Sequence, residues 1–255
     1  PFNQAVGWTL AAAPVLVWSI RSEARARQAD TSSSVLMAGV TSLLFAATLL
    51  PLPVPVAGAT SHICLTPVLV LLVGVRRIIW PTFFVLLLQA VFFAHGGLTT
   101  LGVNTLTLGL LGPLVTLGLW SLLRRLGRGN ALSLGIACGM GGLSVYVVDA
   151  LVLAFALGNV AAPATTFAGV LVGFAPVQIP LSILEAFASV GILRLLARRR
   201  PDLLPEELEL AGNITERVAS LHDGCVRLCQ LASQTADGDL LRPQVPCEGR
   251  TRPRH

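Results

Sequence analysis

Residues Arg76–Arg128 read RRIIWPTFFVLLLQAVFFAHGGLTTLGVNTLTLGLLGPLVTLGLWSLLRRLGR. Two apolar segments, 78–94 and 105–123, are joined by the uncharged run 95–104, and arginines stand only at the outer ends. A bilayer core of about 30 Å takes roughly 20 apolar residues per helix. The stretch therefore fits a hairpin that crosses a membrane twice. Arginine concentrates on the cytoplasmic side of membrane proteins. Arg76, Arg77, Arg124, Arg125 and Arg128 then face inward, and the turn carrying His95 and Asn104 faces outward.

The rest of the chain extends this pattern. Of 255 residues, 54% are hydrophobic and 12% charged, against about 45–50% and 25% in soluble domains. Seven apolar segments are expected: about 5–20, 34–52, 63–75, 78–94, 105–123, 131–157 and 164–195. The third is short, and the arginines decide to keep it. With seven crossings, Arg21, Arg25 and Arg27, the two hairpin clusters, and Arg194 with Arg198 to Arg200 share one side. Loops 53–62, 95–104 and 158–163 on the other side then carry no charge. Omitting the third segment moves two clusters outside, against the positive-inside rule. The expected fold is an all-α polytopic membrane protein of about seven transmembrane helices, amino terminus outside. Its membrane domain covers 1–200, and 201–255 form a cytoplasmic tail. The net charge of +5 reflects topology, and no nucleic-acid partner is expected. All 18 basic residues are arginine, read as a composition bias.

Within the membrane segments, Pro176 and Pro180 predict a kink, and the sixth and seventh segments are long enough to be tilted or interrupted. Gly135 with Gly139 and Gly169 with Gly173 have the four-residue spacing of close helix packing, within the chain or against a partner helix. Asp149 and Glu185 are intramembrane acids, usually functional or paired; a structural role is slightly favoured for both. In the tail, Ile214, Val218, Leu221, Cys225 and Leu228 predict one amphipathic helix, and 235–255 read as disordered. His222, Cys225 and Cys229 match no strong zinc spacing. The odd count of five cysteines implies no disulfide framework.

Two uncharged stretches on the outer side carry the chemistry. One is Ala59-Thr60-Ser61-His62; the other runs from His95 to Asn104, and the chain has only four histidines. Neutral imidazole suits nickel, cobalt, copper and zinc. The stretches add the hydroxyls of Thr60 and Ser61 and the amide of Asn104 but no carboxylate, which argues against calcium or magnesium. A helix starting at residue 63 would turn Cys64 away. A lone loop histidine is usually a surface residue; two on an uncharged face are compatible with either surface residues or a metal site.

The run from Gln89 to Pro113, QAVFFAHGGLTTLGVNTLTLGLLGP, closely resembles the CbiM/NikM family. These are the substrate-capturing membrane subunits of energy-coupling factor (ECF) transporters for cobalt and nickel. Ala59-Thr60-Ser61-His62 is similar to that family's Thr-Ser-Ser-His element, and Gln178-Ile179-Pro180 with Glu185 is similar to its last span. The resemblance covers about 1–205 and implies seven helices and an outward amino terminus. It implies metal held by nitrogens: the amine, amide and imidazole of an initial Met-His, and the Ser-His histidine, which maps onto His62. It casts His95, Asn104 and Ser61 as groups that orient the metal ligand or brace the loops. Pro1 aligns just after the family's opening segment, so several residues, Met-His among them, are expected before it.

The resemblance further implies import of Co²⁺ or Ni²⁺, as for cobalamin synthesis, in a bacterial or archaeal cell membrane. The expected partners are a transmembrane coupling subunit, ATPase subunits and a small accessory membrane subunit. No cofactor of its own and no enzymatic activity are expected, since no Walker-type loop or lysine is present. The alternative is a membrane-bound metal sensor signalling through the tail; tail deletion that spares uptake but loses a response would favour it. An intramembrane enzyme using His62 or His95 ranks low, because no nucleophile–base pair accompanies them.

Overall fold

The computed structural model describes residues 2–29, 32–49, 52–54, 60–93, 96–157, 163–205 and 208. Pro1, His95 and the tail helix expected over 214–228 lie outside the described residues. The chain divides into two compact units, Pro1–Leu210 and Ala211–His255, and all described residues belong to the first.

The described unit is helical. Helix α1 covers Phe2–Ala29 and α2 Ser32–Thr48. A two-residue antiparallel ribbon follows: β1 (Leu52–Pro53) pairs with β2 (Thr60–Ser61), Leu52 opposite Ser61. Then come α3 (Thr66–Val73), α4 (Val75–Phe92) and α5 (Leu101–Leu106). Helix α5 passes through a π-turn at Thr107–Leu111 into α6 (Gly112–Arg125). Helices α7 (Ala131–Leu157) and α8 (Pro163–Arg199) complete the bundle. Four stretches among the described residues are long and apolar enough to cross a bilayer: Val75–Phe92, Leu101–Arg125, Ala131–Ala156 and Ala164–Arg199. Helix α2 has 17 residues, and α1 carries four charges in its last third.

The third segment departs from expectation. Instead of a helix over 63–75, it holds an eight-residue helix preceded by non-helical chain. Eight residues rise about 12 Å, well short of the hydrocarbon core. Pro67 lies in the first turn of α3, where no N–H is needed. Gly74, at φ 77°, ends α3 and begins α4, a left-handed conformation that glycine adopts without penalty. Every residue of α3 except Leu72 is buried. Val68, Leu69 and Val70 share a core with Met37, Val40 and Leu44 of α2, Ile78 and Ile79 of α4, Trp120 of α6, and Leu134 and Cys138 of α7. Irregular backbone at membrane depth is tolerated where protein surrounds it, and α3 meets that condition.

Other expectations fare differently. Helix α8 is continuous over 37 residues, through both Pro176 and Pro180; at about 1.5 Å per residue it is far longer than the bilayer core. Gly135 and Gly139 pack inside the subunit: a Cβ on Gly139 would lie 2.9 Å from the Ser182 carbonyl oxygen. Gly169 faces open space. Arg77 donates from Nε to Glu23 Oε2 at 2.8 Å and from its terminal nitrogen to Ser33 Oγ at 2.6 Å. Arg27 takes the other Glu23 oxygen at 2.9 Å. The end of α1 and the start of α4 therefore lie together, with the first two arginine clusters side by side. Past α8, Leu204 and Leu208 pack on the α3 core.

Gly102, from the second outer stretch, sets how closely α5 meets α1. A Cβ there would lie 2.6 Å from the backbone nitrogen of Thr9. Gly118 in α6 has nothing within 4 Å. Gly102→Ala should lower stability by about 1–3 kcal/mol, while Gly118→Ala should be neutral or stabilise by up to about 1 kcal/mol. Thermal unfolding of the two variants in detergent checks the contrast; equal melting points would refute the close α1–α5 approach.

Candidate metal site

Residues 60–65 leave the ribbon and enter the bundle as non-helical chain. Ser61 is fully buried and His62 is 8% exposed. The apolar groups around this segment are Leu86 of α4, Leu108 of the π-turn, Val145 and Ala150 of α7, and Phe174 of α8. Such surroundings supply no water to satisfy the backbone, so side chains must.

Tyr146 of α7 does most of this. Its hydroxyl donates to the His62 carbonyl at 2.8 Å and accepts from Ser61 Oγ at 3.1 Å and the His62 N–H at 3.4 Å. One donor and two acceptor positions use the full capacity of a phenol. Gln178 of α8 donates from Nε2 to Ser61 Oγ. The protons run in one direction: Gln178 amide, Ser61 hydroxyl, Tyr146 hydroxyl, His62 carbonyl. The peptide groups on both sides of His62 are thereby fixed, and its imidazole stands on a rigid base.

Glu185 holds the next residues. Its Oε1 accepts the Leu65 N–H at 2.9 Å. Leu65 has φ 49°, a left-handed conformation that costs a side-chain-bearing residue free energy. A buried carboxylate at the N-terminus of α3 offsets this by satisfying an N–H with no helical partner and by facing the positive end of the helix dipole. Gly142 of α7 makes the room, since a Cβ there would collide with the carboxylate. The structural reading of Glu185 thus has a specific form. Thr107, at the start of the π-turn, donates to the Asn104 carbonyl at 3.4 Å; such a distortion often marks functional places in helices.

Of the predicted site residues, Ser61 and His62 are adjacent and buried in this network. Asn104 donates to Thr100 Oγ1 at 3.4 Å and lies over Gly96, bracing its own loop. Thr100 also bonds the Gly96 carbonyl. Among the described residues no group of three or more His, Cys, Asp or Glu could hold an ion. Cys64 departs from expectation: with α3 beginning at Thr66, its buried sulfur lies 3.7 Å from the Tyr146 oxygen. Sequence reasoning missed Tyr146 entirely and gave Gln178 no role. The available signals were that Tyr146 is the only tyrosine in the chain and that Gln178 is an amide within an apolar segment.

Four apolar helices long enough to cross a bilayer, packed around a buried non-helical segment, define a multi-pass integral membrane protein. Two crystal structures of a transition metal transporter, one of them truncated, superpose with TM-score 0.68 at 20% identity. They cover 78% of this chain, which spans 95% of the truncated chain and 89% of the other. Residues 1–203 match the model of the CbiM family, the cobalt uptake substrate-specific transmembrane region. The chain is 34% identical over 204 residues to cobalt transport protein CbiM of Geobacter sulfurreducens, covering 80% of this chain and 59% of that protein. It is 33% identical over 205 residues to cobalt transport protein CbiM of Sorangium cellulosum, covering 80% of this chain and 91% of that protein. The chain belongs to the CbiM family.

Two substitutions separate the roles of the buried groups. Tyr146→Phe keeps the ring and removes the hydroxyl, and should weaken Ni²⁺ or Co²⁺ binding by about 10–100-fold, the usual cost of losing a group that orients a ligand; calorimetry reads this directly. Glu185→Gln keeps an acceptor for the Leu65 N–H and should bind metal like the parent, whereas Glu185→Leu should melt lower by about 1–3 kcal/mol of lost stability. A large affinity loss in Glu185→Gln would place the carboxylate in the metal site itself.

Proposed function

We propose that this chain captures Ni²⁺ or Co²⁺ as substrate at the outer face and delivers it inward as the membrane subunit of a multi-subunit transporter. The carrying observation is the buried His62 imidazole on a peptide held from both sides by Tyr146. A borderline metal is bound by neutral imidazole, and a rigid peptide makes that donor pre-organised. The names of the relatives, which are cobalt transport proteins, support the cargo class. His62 is the direct ligand in this reading. Ser61 positions the His62 peptide through Tyr146 and Gln178, and Asn104 braces its loop through Thr100.

The Glu23–Arg77 pair at 2.8 Å supports the seven-segment topology, because α1 must end where α4 begins. Residues 60–73 then make the third crossing as extended chain followed by α3. The amino terminus lies outside and residues 201–255 are cytoplasmic. Hydrolysis of ATP falls to partner subunits, coupled through a second membrane protein. A metal shifts the equilibrium between outward and inward states only by its differential affinity for them, so the partners drive release.

His62→Ala should lose more affinity than the roughly 10–100-fold of an orienting residue and should abolish uptake of radioactive nickel and cobalt in cells carrying the full transporter. Unchanged affinity by calorimetry in this variant would sink the site assignment.

A further inference from the structure

A second polar site lies at the arginine end of the bundle. Pro14, Val17, Trp18, Arg21, Ser22 and Arg25 line one wall of a cavity of about 390 Å³, and Arg76 at the start of α4 closes it. The six α1 residues step by three or four positions, or by their neighbour, so they form one stripe on the helix. Over three turns the stripe changes from apolar to cationic. Its opposite face carries Ser19 and Glu23, both buried. Glu23, the acid nearest this cavity in sequence, is taken up by Arg27 and Arg77. Among the described residues Arg21, Arg25 and Arg76 enter no ion pair. The Arg76 guanidinium instead lies over the Trp18 ring, 5.5 Å from its centroid.

Three uncompensated guanidinium groups around one cavity repel one another, and an anion between them removes that cost. Guanidinium suits phosphate because its donors match two oxygens at once. The apolar half of the stripe excludes a fully hydrated ion from that wall and suits the first carbons of acyl chains. Tryptophan at this depth is the usual interfacial anchor. Basic pockets between transmembrane helices bind anionic lipid headgroups. We infer that Arg21, Arg25 and Arg76, with Ser22 and Trp18, form a site for the phosphate headgroup of an anionic glycerophospholipid. The site is separate from His62 and holds α1 against α4 in the membrane. It requires only that the arginine end lie at a bilayer surface.

The test is native mass spectrometry of the full chain in detergent, titrated with phosphatidylglycerol, phosphatidylcholine or inorganic phosphate. The parent should retain phosphatidylglycerol in preference to phosphatidylcholine. Arg21→Gln/Arg25→Gln/Arg76→Gln should retain phosphatidylglycerol at least about tenfold more weakly. Arg124→Gln/Arg125→Gln, which removes another pair including the Arg124–Trp120 stack, should bind like the parent. Equal retention by the triple variant and the parent, or equal loss in both variants, would overturn the site. Displacement of phosphatidylglycerol by inorganic phosphate at matching concentration would mark a free-anion site and overturn the lipid assignment. If the triple variant does not fold, Arg25→Gln is read by the same criteria, since Arg25 is exposed and has no ion pair among the described residues.

Discussion

Residues 61–64 run through the interior of a membrane bundle as non-helical chain, and the unit is arranged around that difficulty. In hydrocarbon each unsatisfied backbone group costs several kcal/mol. Here the ribbon pairs Ser61 with Leu52, Tyr146 serves the His62 N–H and carbonyl, and Glu185 serves the Leu65 N–H. The partners come from α7 and α8, whose mutual packing depends on small residues at Gly135 and Gly139. Had these two helices been held further apart, Tyr146 and Glu185 would not reach the same short segment. The packing of one helix pair thus bears directly on the geometry of the histidine.

Helix α3 is the continuation of that segment and is fixed at both ends. At its start stand Leu65 in a left-handed conformation and the Glu185 carboxylate. At its end Gly74 passes the chain into α4, where Arg77 reaches Glu23 of α1. Between the two ends α3 has no lipid-facing stripe, since all but one of its residues are buried. A helix so placed cannot tilt or slide without disturbing the core that α2, α4, α6 and α7 form around it. The rigidity of the His62 segment and the docking of the arginine end are two aspects of one buried element.

Much of this was legible in the sequence. The alternation of apolar segments with arginine clusters marked a multi-pass membrane protein, and the short polar stretch marked His62. The limits of α3 were also present, as Pro67 and Gly74, but the apolar run 63–75 outweighs punctuation when hydropathy is read by length. Tyr146 was not legible, because its bond to Ser61 joins residues 85 apart in sequence. Gln178 lies 117 residues from the same serine. A single phenol or amide in an apolar segment gives no indication of which loop it will meet. The π-turn at Thr107–Leu111 likewise leaves no local trace, since its Gly109 packs against Ile79 and Thr82 of another helix.

The buried network also bounds the energetics of the proposed transport. Any inward state that carries His62 away from α7 and α8 must separate Gln178, Tyr146 and Glu185 from residues 61–65. Those are five hydrogen bonds. Buried groups left unpaired cost about 1–3 kcal/mol each, so breaking them without replacement costs roughly 5–15 kcal/mol. Moving a two-state equilibrium from one extreme to the other by ligand alone takes about 5.5 kcal/mol, or roughly 10⁴-fold discrimination between states. A metal ion held by a few neutral donors that offered such discrimination in favour of the inward state would bind poorly outside, where capture must occur. Tight capture and spontaneous release therefore conflict in this architecture. In the proposed transporter, the energy that opens the His62 segment thus enters through contacts with partner subunits and not through the metal.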